Sequence, residues 1–463
     1  MTTNSSRREF LRRAGALSLA GTAAPWALNL AAMAEASAAT ASDYKALVCV
    51  FLYGGMDYAN TLVPYDTASH ARYLALRPSI AIPRADLAGT VLTPAQAPID
   101  VREVVHQYAL APRLSALKPL FDGGKLGVML NVGTLIEPTS KDAYGARPRT
   151  VMIPPRLFSH NDQQSTWQAC APEGAMSGWG GRMGDIFAAG NGNATFTCVN
   201  VSGNAIHLTG QTAVQYQVSP SGPAAVRGAT YPLFGSGACR DALYSLITEA
   251  RSNPLEATYN AITRRAIATN TLLANALPPA SQFPNFPAGN PLAAQLQMVA
   301  RMIPVSREQG VKRQVFFVSL GGFDHHSGLK LGLPGLHQKV GEAMAAFYNA
   351  TVNMGVSEMV TSFTASDFGR TLTGNTDGSD HGWGGMHFML GGAVNGGKYY
   401  GTAPVVDKDG PDDVGQGRLI PTTSVEQYAA TMGKWLGIAD SQLLALLPNL
   451  HNFYDTRDLG FMA

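Results

Sequence analysis

Four short apolar segments, three of which run directly into glycine, most constrain the fold of this chain. They are short and rich in β-branched residues, and such continuous apolar runs are typical of strands that are buried on both faces of a parallel sheet. Apolar residues at helical spacing over residues 338–354 join the third segment to the fourth and predict a β-α-β unit. The segments are Lys45–Tyr53, Lys125–Gly133, Gln314–Leu320 and Glu358–Ala365. We therefore expect an α/β fold with a mostly parallel central sheet.

Acidic residues follow three of the four predicted strands. Asp57 follows the first strand, Asp324 the third and Asp367 the fourth. Parallel strands bring their carboxyl ends to one edge of the sheet, where ligands bind, so we expect the three carboxylates to converge. His381 follows shortly after in a glycine-rich segment. Each aspartate alone is also compatible with a helix cap or a turn, but the recurrence at successive strand ends favours a site.

Carboxylate and imidazole groups bind borderline divalent metals when thiolates are absent. The chain has four cysteines and no C-x-x-C motif, so a zinc-thiolate site is not expected. We expect a divalent metal at the strand ends and leave zinc, calcium, magnesium and manganese open. Cys49 lies in an apolar strand pattern and is interpreted as a buried free thiol, whereas any disulfide would join two of the other three cysteines.

A second group of polar residues opens a predicted helix in the middle of the chain. Ser159 and His160 precede residues 163–170, which have helical character. A serine at a helix start is commonly an N-cap, but its hydroxyl also faces backbone N–H groups that favour anions, so a nucleophilic role stays open. The chain contains no G-x-S-x-G, H-E-x-x-H or P-loop motif, which argues against an α/β-hydrolase, a zincin protease and an NTPase.

The N-terminus has the pattern of a twin-arginine export signal. Residues 6–11 read S-R-R-E-F-L, an apolar stretch follows over residues 14–34, and Ala36-Ser37-Ala38 is an A-x-A cleavage pattern. We expect residues 1–38 to be removed, the protein to be periplasmic or secreted, and the twin-arginine translocase to be a partner during export. An ordinary secretion signal with paired arginines is the alternative. The pathway carries folded proteins, many with metals, which is consistent with a metal site.

Charge and hydropathy exclude two classes of partner. Removal of the signal takes four basic and two acidic residues from the chain's 34 and 32, which leaves a formally neutral protein without basic runs. Nucleic-acid binding is therefore not expected. No later apolar run is long enough to span a membrane. We expect residues 39–463 to form a single domain, with a covering insertion around residues 190–290 that is rich in Gly, Ser, Thr, Pro and Asn.

Taken together, these motifs resemble a known family. The chain is similar to an uncharacterised family of twin-arginine-exported bacterial proteins, a domain of unknown function grouped with the alkaline phosphatase and sulfatase superfamily. The resemblance covers nearly the whole mature chain and implies an alkaline-phosphatase-like α/β/α sandwich with a metal centre at the strand ends. The motifs that carry it are the export box, G-G-x-D-x-x-N, S-H, G-G-x-D-x-H, S-D-F-G-R-T and D-H-G-W-G-G.

The resemblance also implies roles for individual residues. Asp57 resembles the first-strand metal aspartate of the superfamily, and Asp324 with His326 resembles its later Asp and His pair, with a shorter spacing. Asp367 corresponds to the aspartate of the superfamily's Asp-His pair, but Phe368 stands in place of that histidine. His381 and His387 would then supply imidazoles. Ser159 has the best local context for a nucleophile, with Thr139 and Ser140 as alternatives nearer to the second strand.

The sequence therefore favours an exported metal-dependent hydrolase that acts on a small anionic ester, either a phosphate or a sulfate ester. A non-catalytic binding or assembly protein on the same fold is the alternative from another class, since function resides in the site and not in the fold. A metal-dependent phosphomutase is a third interpretation, weakened by the scarcity of phosphorylated metabolites in the periplasm.

Replacement of both Arg7 and Arg8 by Lys should leave the precursor in the cytoplasm, because the translocase recognises the arginine pair. Fractionation followed by immunoblotting measures the distribution of precursor and mature protein. Mature protein that still accumulates outside the cytoplasm would contradict the twin-arginine interpretation and support an ordinary secretion signal.

Overall fold

The computed structural model describes residues 43–463. The predicted export signal and its cleavage site lie outside these described residues, so residues 1–38 remain a prediction. Within the described part of the chain, no helix is both long and apolar enough to cross a membrane.

Strands and helices alternate through much of the chain. The strands are β1 (Lys45–Leu52), β2 (Leu62–Pro64), β3 (Tyr108–Leu110), β4 (Leu126–Gly133), β5 (Cys198–Asn200), β6 (Tyr216–Gln217), β7 (Arg313–Leu320), β8 (Val360–Ser366), β9 (Arg370–Gly374), β10 (Ser379–His381), β11 (Gly385–Gly391), β12 (Tyr399–Tyr400) and β13 (Thr423–Ser424). The helices are α1 (Thr67–Leu76), α2 (Lys118–Asp122), α3 (Lys141–Gly145), α4 (His160–Ala169), α5 (Trp179–Phe187), α6 (Arg227–Thr230), α7 (Gly237–Thr248), α8 (Pro254–Ala276), α9 (Pro291–Glu308), α10 (Leu329–Asn353), α11 (Val425–Leu436) and α12 (Asp440–Leu446).

The central sheet is mostly parallel, as the apolar segments predict. Its strand order is β12-β4-β11-β8-β1-β7-β5-β6, and β13 also pairs with β4. Strand β1 lies between β7 and β8 and is parallel to both. Strand β11 runs antiparallel to its two neighbours, β4 and β8. The four predicted strands correspond to β1, β4, β7 and β8, and the predicted β-α-β helix is the longer α10.

Helices cover both faces of this sheet. Alternate residues of β1 point to opposite sides, so that Val48 and Val50 join one buried core while Cys49 and Phe51 join the other. Helices α9 and α10 pack on the first face, and α5, α11 and α12 pack on the second. The predicted α/β/α sandwich is confirmed. It also explains why both sides of β1 are apolar.

The first part of the region predicted as an insertion belongs to the central sheet. Strands β5 and β6 pair in parallel at one end of the sheet, next to β7. Helices α6, α7 and α8 follow, and residues 249–253 interrupt the helical segment between α7 and α8. Asn253 ends that interruption, because its side chain accepts hydrogen bonds from the first N–H groups of α8.

The cysteines of the described chain are all free thiols. Cys49 is buried in β1, as its strand pattern predicts, and burial raises the pKa of its thiol well above the usual range. Cys198 is also buried, whereas Cys239 is exposed on α7.

A buried ion pair fixes the segment after β1. Arg77 lies just beyond α1 and donates from Nη1 and Nη2 to the two carboxylate oxygens of Asp57, at 2.7 and 2.6 Å. Ser379 donates a further hydrogen bond to Asp57 Oδ2 at 2.7 Å. Both charged side chains are almost fully buried. Burial opposes ionisation of Asp57, but the charge and hydrogen bonds of Arg77 outweigh it and hold the pKa of the carboxyl below its usual range.

Replacement of Arg77 by Met should lower the free energy of unfolding by about 3–5 kcal/mol, because it leaves the Asp57 carboxylate buried without its counter-charge. Urea denaturation measures the loss. The control is Arg72→Met, since Arg72 is an exposed arginine of the same helix α1. Equal stability of the two variants would contradict this role for the pair.

The same pair predicts a pH dependence. The pKa of Asp57 is lower in the folded than in the unfolded chain, so its stabilisation is present above about pH 4 and is lost as the pH falls through the folded value. The wild type should therefore lose more stability than Arg77→Met on acidification below pH 4.

Candidate functional site

The site is built on a turn of two glycines at the end of β1. Gly54 and Gly55 have φ angles of +116° and +81°, which L-residues with side chains rarely adopt. A Cβ on Gly54 would overlap the backbone of Asp324, and a Cβ on Gly55 would overlap the ring of Phe368. The turn therefore needs glycine for its conformation and for the close approach of the segments that follow β7 and β8.

Hydrogen bonds from Arg370 connect these segments. Its side chain is almost fully buried, and it donates to the carbonyl oxygens of Gly54, Gly55 and Ser379. The same guanidinium donates to Oδ1 of Asp324. It thus fixes the ends of β1 and β7 relative to the β9–β10 hairpin.

The side chains of three histidines and one aspartate lie close together beside these segments. Oδ1 of Asp324 lies 3.5 Å from Nε2 of His160, 3.2 Å from Nε2 of His326 and 3.7 Å from Nε2 of His381. The Nε2 atoms of His326 and His381 are 2.9 Å apart. His160, Asp324 and His381 form a group whose ligand atoms all lie within 4.8 Å of one another. We call the four residues His160, Asp324, His326 and His381 the histidine cluster.

The Nδ1 atom of each histidine in the cluster faces an oxygen. His381 Nδ1 lies 2.6 Å from the Phe158 carbonyl oxygen, which can only accept a hydrogen bond. His160 Nδ1 lies 2.6 Å from Asp367 Oδ2, and His326 Nδ1 lies 3.0 Å from Asp380 Oδ1. Nδ1 is therefore the donor in all three rings. In the neutral rings, Nε2 then presents a lone pair toward the centre of the cluster.

This arrangement fits a bound cation. Facing lone pairs repel unless a proton or a metal ion lies between them, and Nε2 of His160 is buried without a hydrogen-bond partner in the described chain. Metal-binding histidines almost always donate their other N–H to an oxygen, as all three do here. Tetrahedral ligands about 2.0 Å from an ion are about 3.3 Å apart, close to the measured separations of 2.9–3.7 Å.

Electrostatics in the site favour an ionised carboxylate. Burial opposes ionisation of Asp324, but the hydrogen bond and charge of Arg370 outweigh it and lower the pKa of Asp324. The hydrogen bond to Asp367 raises the pKa of His160. Burial lowers the pKa of His381, which favours a neutral ring with a free lone pair.

Three predicted ligands lie outside the cluster, and two of them, Asp57 and His387, have other partners. Both carboxylate oxygens of Asp57 are taken by Arg77, so Asp57 is part of a structural ion pair. His387 lies within β11, where its Nδ1 is 3.1 Å from the Thr364 hydroxyl. Its ring stands edge-on to Trp167, and burial lowers its pKa to about 3. The expectation that Asp57 and His387 bind metal is therefore not supported by their surroundings.

Asp367 supports the cluster rather than entering it. Its Oδ2 accepts from His160 Nδ1, from Gln164 at 2.8 Å and from the Gly54 N–H at 3.2 Å. Its Oδ1 is buried without a hydrogen-bond partner among the described residues. Phe368, which replaces the superfamily histidine, packs its ring 4.8 Å from His160 and 4.7 Å from His381.

Of the candidate nucleophiles, only Ser159 is adjacent in sequence to a residue of the cluster. Ser159 is the N-cap residue of α4 and directly precedes His160, but its hydroxyl donates to Asp162 Oδ2 at 3.0 Å instead of capping the helix. Thr139 donates to the Glu137 carbonyl, and Ser140 caps α3. Thr139 and Ser140 line a separate open groove of about 470 Å³.

Sequence reasoning missed four supporting groups. Arg370 and Asp380 lie inside motifs that carry the family resemblance, so their positions were a usable signal. Gln164 lies one helical turn after His160, a spacing that puts both side chains on one face of α4. The carbonyl of Phe158 gives no sequence signal, because any residue supplies one.

Replacement of Asp367 by Asn should lower the pKa of His160 in metal-free protein, because the amide no longer stabilises the imidazolium. NMR titration of the histidine resonances measures this change. The control resonance is that of His451, an exposed histidine whose Nδ1 lies 2.8 Å from the Pro448 carbonyl oxygen. A His160 pKa that does not move would contradict the importance of this hydrogen bond.

Solved structures that match include Ps i-CgsB in complex with k-i-k-neocarrahexaose, with a TM-score of 0.34, 10% identity, and coverage of 89% of this chain and 77% of that chain. A Bacteroides thetaiotaomicron protein described under metabolism of multiple glycosaminoglycans has a TM-score of 0.34, 10% identity and coverage of 86% and 74%. A mutant of alkaline phosphatase PafA has a TM-score of 0.23, 12% identity and coverage of 72% and 64%.

No curated protein matches the chain in sequence. Residues 44–451 match the family described as "Protein of unknown function (DUF1501)". This match confirms that the chain comes from an uncharacterised family, as its motifs predict: the protein belongs to the DUF1501 family.

Proposed function

We propose that this protein is an exported metal-dependent hydrolase of phosphate or sulfate esters, and that the histidine cluster is its metal centre. The observation that carries the proposal is the convergence of three imidazole Nε2 atoms on one carboxylate oxygen, with each Nδ1 held by an oxygen acceptor. The resemblance of the sequence motifs to the alkaline phosphatase and sulfatase superfamily supports ester hydrolysis as the reaction. The export motif supports a site of action outside the cytoplasm.

We propose zinc as the metal. Three imidazoles and one carboxylate form a donor set that suits zinc, whereas calcium and magnesium prefer sites made of oxygen ligands. A zinc ion held by these residues would take an ester oxygen as an additional ligand and polarise it as a Lewis acid. His160 and His381 are about a quarter exposed, whereas Asp324 and His326 are 48% exposed, so an ester would approach from the side of the latter two.

Ser159 is the favoured nucleophile because it adjoins a cluster residue at the start of a ten-residue helix. Its proton already points to Asp162 Oδ2, and Asp162 is 3% exposed, so this carboxylate is positioned to accept the proton as Ser159 attacks. The first N–H groups of α4 favour an anionic ester beside the hydroxyl. Neither Thr139 nor Ser140 has a comparable link to the cluster.

Replacement of Asp324 by Ala should remove both the metal and hydrolysis. Replacement of Ser159 by Ala should keep the metal but lower kcat/KM at least about a hundredfold, because a nucleophile acts only when the ester is already held. Elemental analysis gives the metal content, and aryl phosphate and aryl sulfate esters give the turnover. His451→Ala is the matched histidine control and should match the wild type.

Three outcomes would change this proposal. Asp324→Ala protein with a full metal content would contradict the histidine cluster as the metal centre. Metal-loaded wild type without turnover on a broad ester panel would favour the non-catalytic binding or assembly protein. Unchanged turnover in Ser159→Ala would exclude Ser159 and leave Thr139, Ser140 or a hydroxide supplied at the metal centre as the attacking group.

A further inference from the structure

Arg418 lies at the edge of the histidine cluster on a loop that is fixed by its own backbone contacts. Gly415 and Gly417 both have positive φ angles, and their N–H groups donate to Oδ1 of Asp413 at 2.7 and 2.8 Å. The backbone of Arg418 closes the turn, since its N–H donates to Gly415 and its carbonyl accepts from Val414. The guanidinium is therefore carried by a well-defined scaffold.

The side chain of Arg418 is fastened to two residues of the site. Its Nε donates to the carbonyl oxygen of His381 at 2.9 Å. Its guanidinium carbon lies 5.0 Å from the centre of the Phe158 ring. Phe158 in turn accepts the hydrogen bond from His381 Nδ1. Each of Arg418, Phe158 and His381 thus contacts the other two. These contacts fix the plane of the guanidinium beside the cluster.

The outer edge of this guanidinium has no partner among residues 43–463. Within that range neither Nη atom of Arg418 forms a hydrogen bond with the protein, and no carboxylate forms an ion pair with it. The charge of Arg418 helps to lower the pKa of Asp380. The Asp380 carboxylate, however, hydrogen-bonds to His326 and Asn375 and not to Arg418. By contrast, the buried Arg77 and Arg370 use both of their Nη atoms on protein acceptors.

We propose that Arg418 binds the tetrahedral oxyanion group of the substrate through its two Nη atoms. A planar guanidinium with two free N–H edges matches two oxygens of a phosphate or sulfate group, and half-burial strengthens such a charge-assisted contact. Nε is already fixed, so little side-chain entropy is lost on binding. Arg418 is thereby a specificity residue that selects an anionic group. The inference rests on the proposed function for the ester, but anion binding is measurable without turnover.

The test is isothermal titration of the metal-loaded full chain with inorganic phosphate and, separately, with inorganic sulfate. Arg418→Gln should weaken binding of the preferred anion about 10–100-fold, as expected for hydrogen bonds to a charged group, and Arg418→Lys should weaken it less. The metal content should stay at the wild-type level. With an aryl ester, KM should rise by a similar factor while kcat changes less than about threefold, because the contact is present in both the ground and transition states.

Arg84 supplies a matched control. Its Nε also donates to a carbonyl oxygen, that of Tyr65, and its guanidinium also stacks on an aromatic ring, 4.2 Å from the centre of the Tyr65 ring. It lies outside the contacts of the histidine cluster, so Arg84→Gln should leave anion affinity and metal content unchanged.

The outcomes separate this inference from the proposed hydrolysis. Anion binding that depends on Arg418 without any ester turnover would support the inference and remove the hydrolase proposal. Wild-type anion affinity in Arg418→Gln would overturn the inference, as would a failure of the wild type to bind either anion at millimolar concentration. Loss of metal in Arg418→Gln would also overturn it, since Arg418 would then serve to position His381.

Discussion

Arg370 donates hydrogen bonds to the carbonyl oxygens of Gly54, Gly55 and Ser379 and to the Asp324 carboxylate, and the geometry of the site depends on these contacts. They join the turn after β1 to the segment after β7 and to the β9–β10 hairpin. Hydrogen bonds to a buried charged group are stronger than those between neutral groups, and a guanidinium distributes them over a fixed plane. Parallel strands alone bring these loops to one edge, but Arg370 sets their separation.

The glycine turns and acidic strand ends were predictable, because buried parallel strands have a simple apolar pattern and their loops share one edge. Asp324 and His381 were identified in this way, and the structure brings them together. The fold followed from the same reasoning. The strand β11, which runs antiparallel to its neighbours, was not foreseen, and consequently His387 was assigned as a metal ligand although it lies inside a buried strand.

The partner of each polar group was harder to predict. Asp57 has the sequence context of a ligand, but Arg77 reaches it from the far end of α1 and occupies both of its oxygens. Such a pairing depends on where a helix packs, which local sequence does not encode. Asp367 illustrates the same limit: its position at a strand end was correct, but its contact with His160 joins residues separated by 207 positions.

The short strands at both ends of the central sheet have a consequence for association between copies of this chain. The sheet ends on one side in the two-residue strand β6 and on the other in the two-residue strands β12 and β13. Long unpaired edges recruit strands from other molecules, so truncated edges discourage association between copies. If the chain crosses the membrane after folding, as its N-terminal motif predicts, it must remain free of aggregation between synthesis and translocation. A sheet whose long strands all have neighbours on both sides meets that requirement.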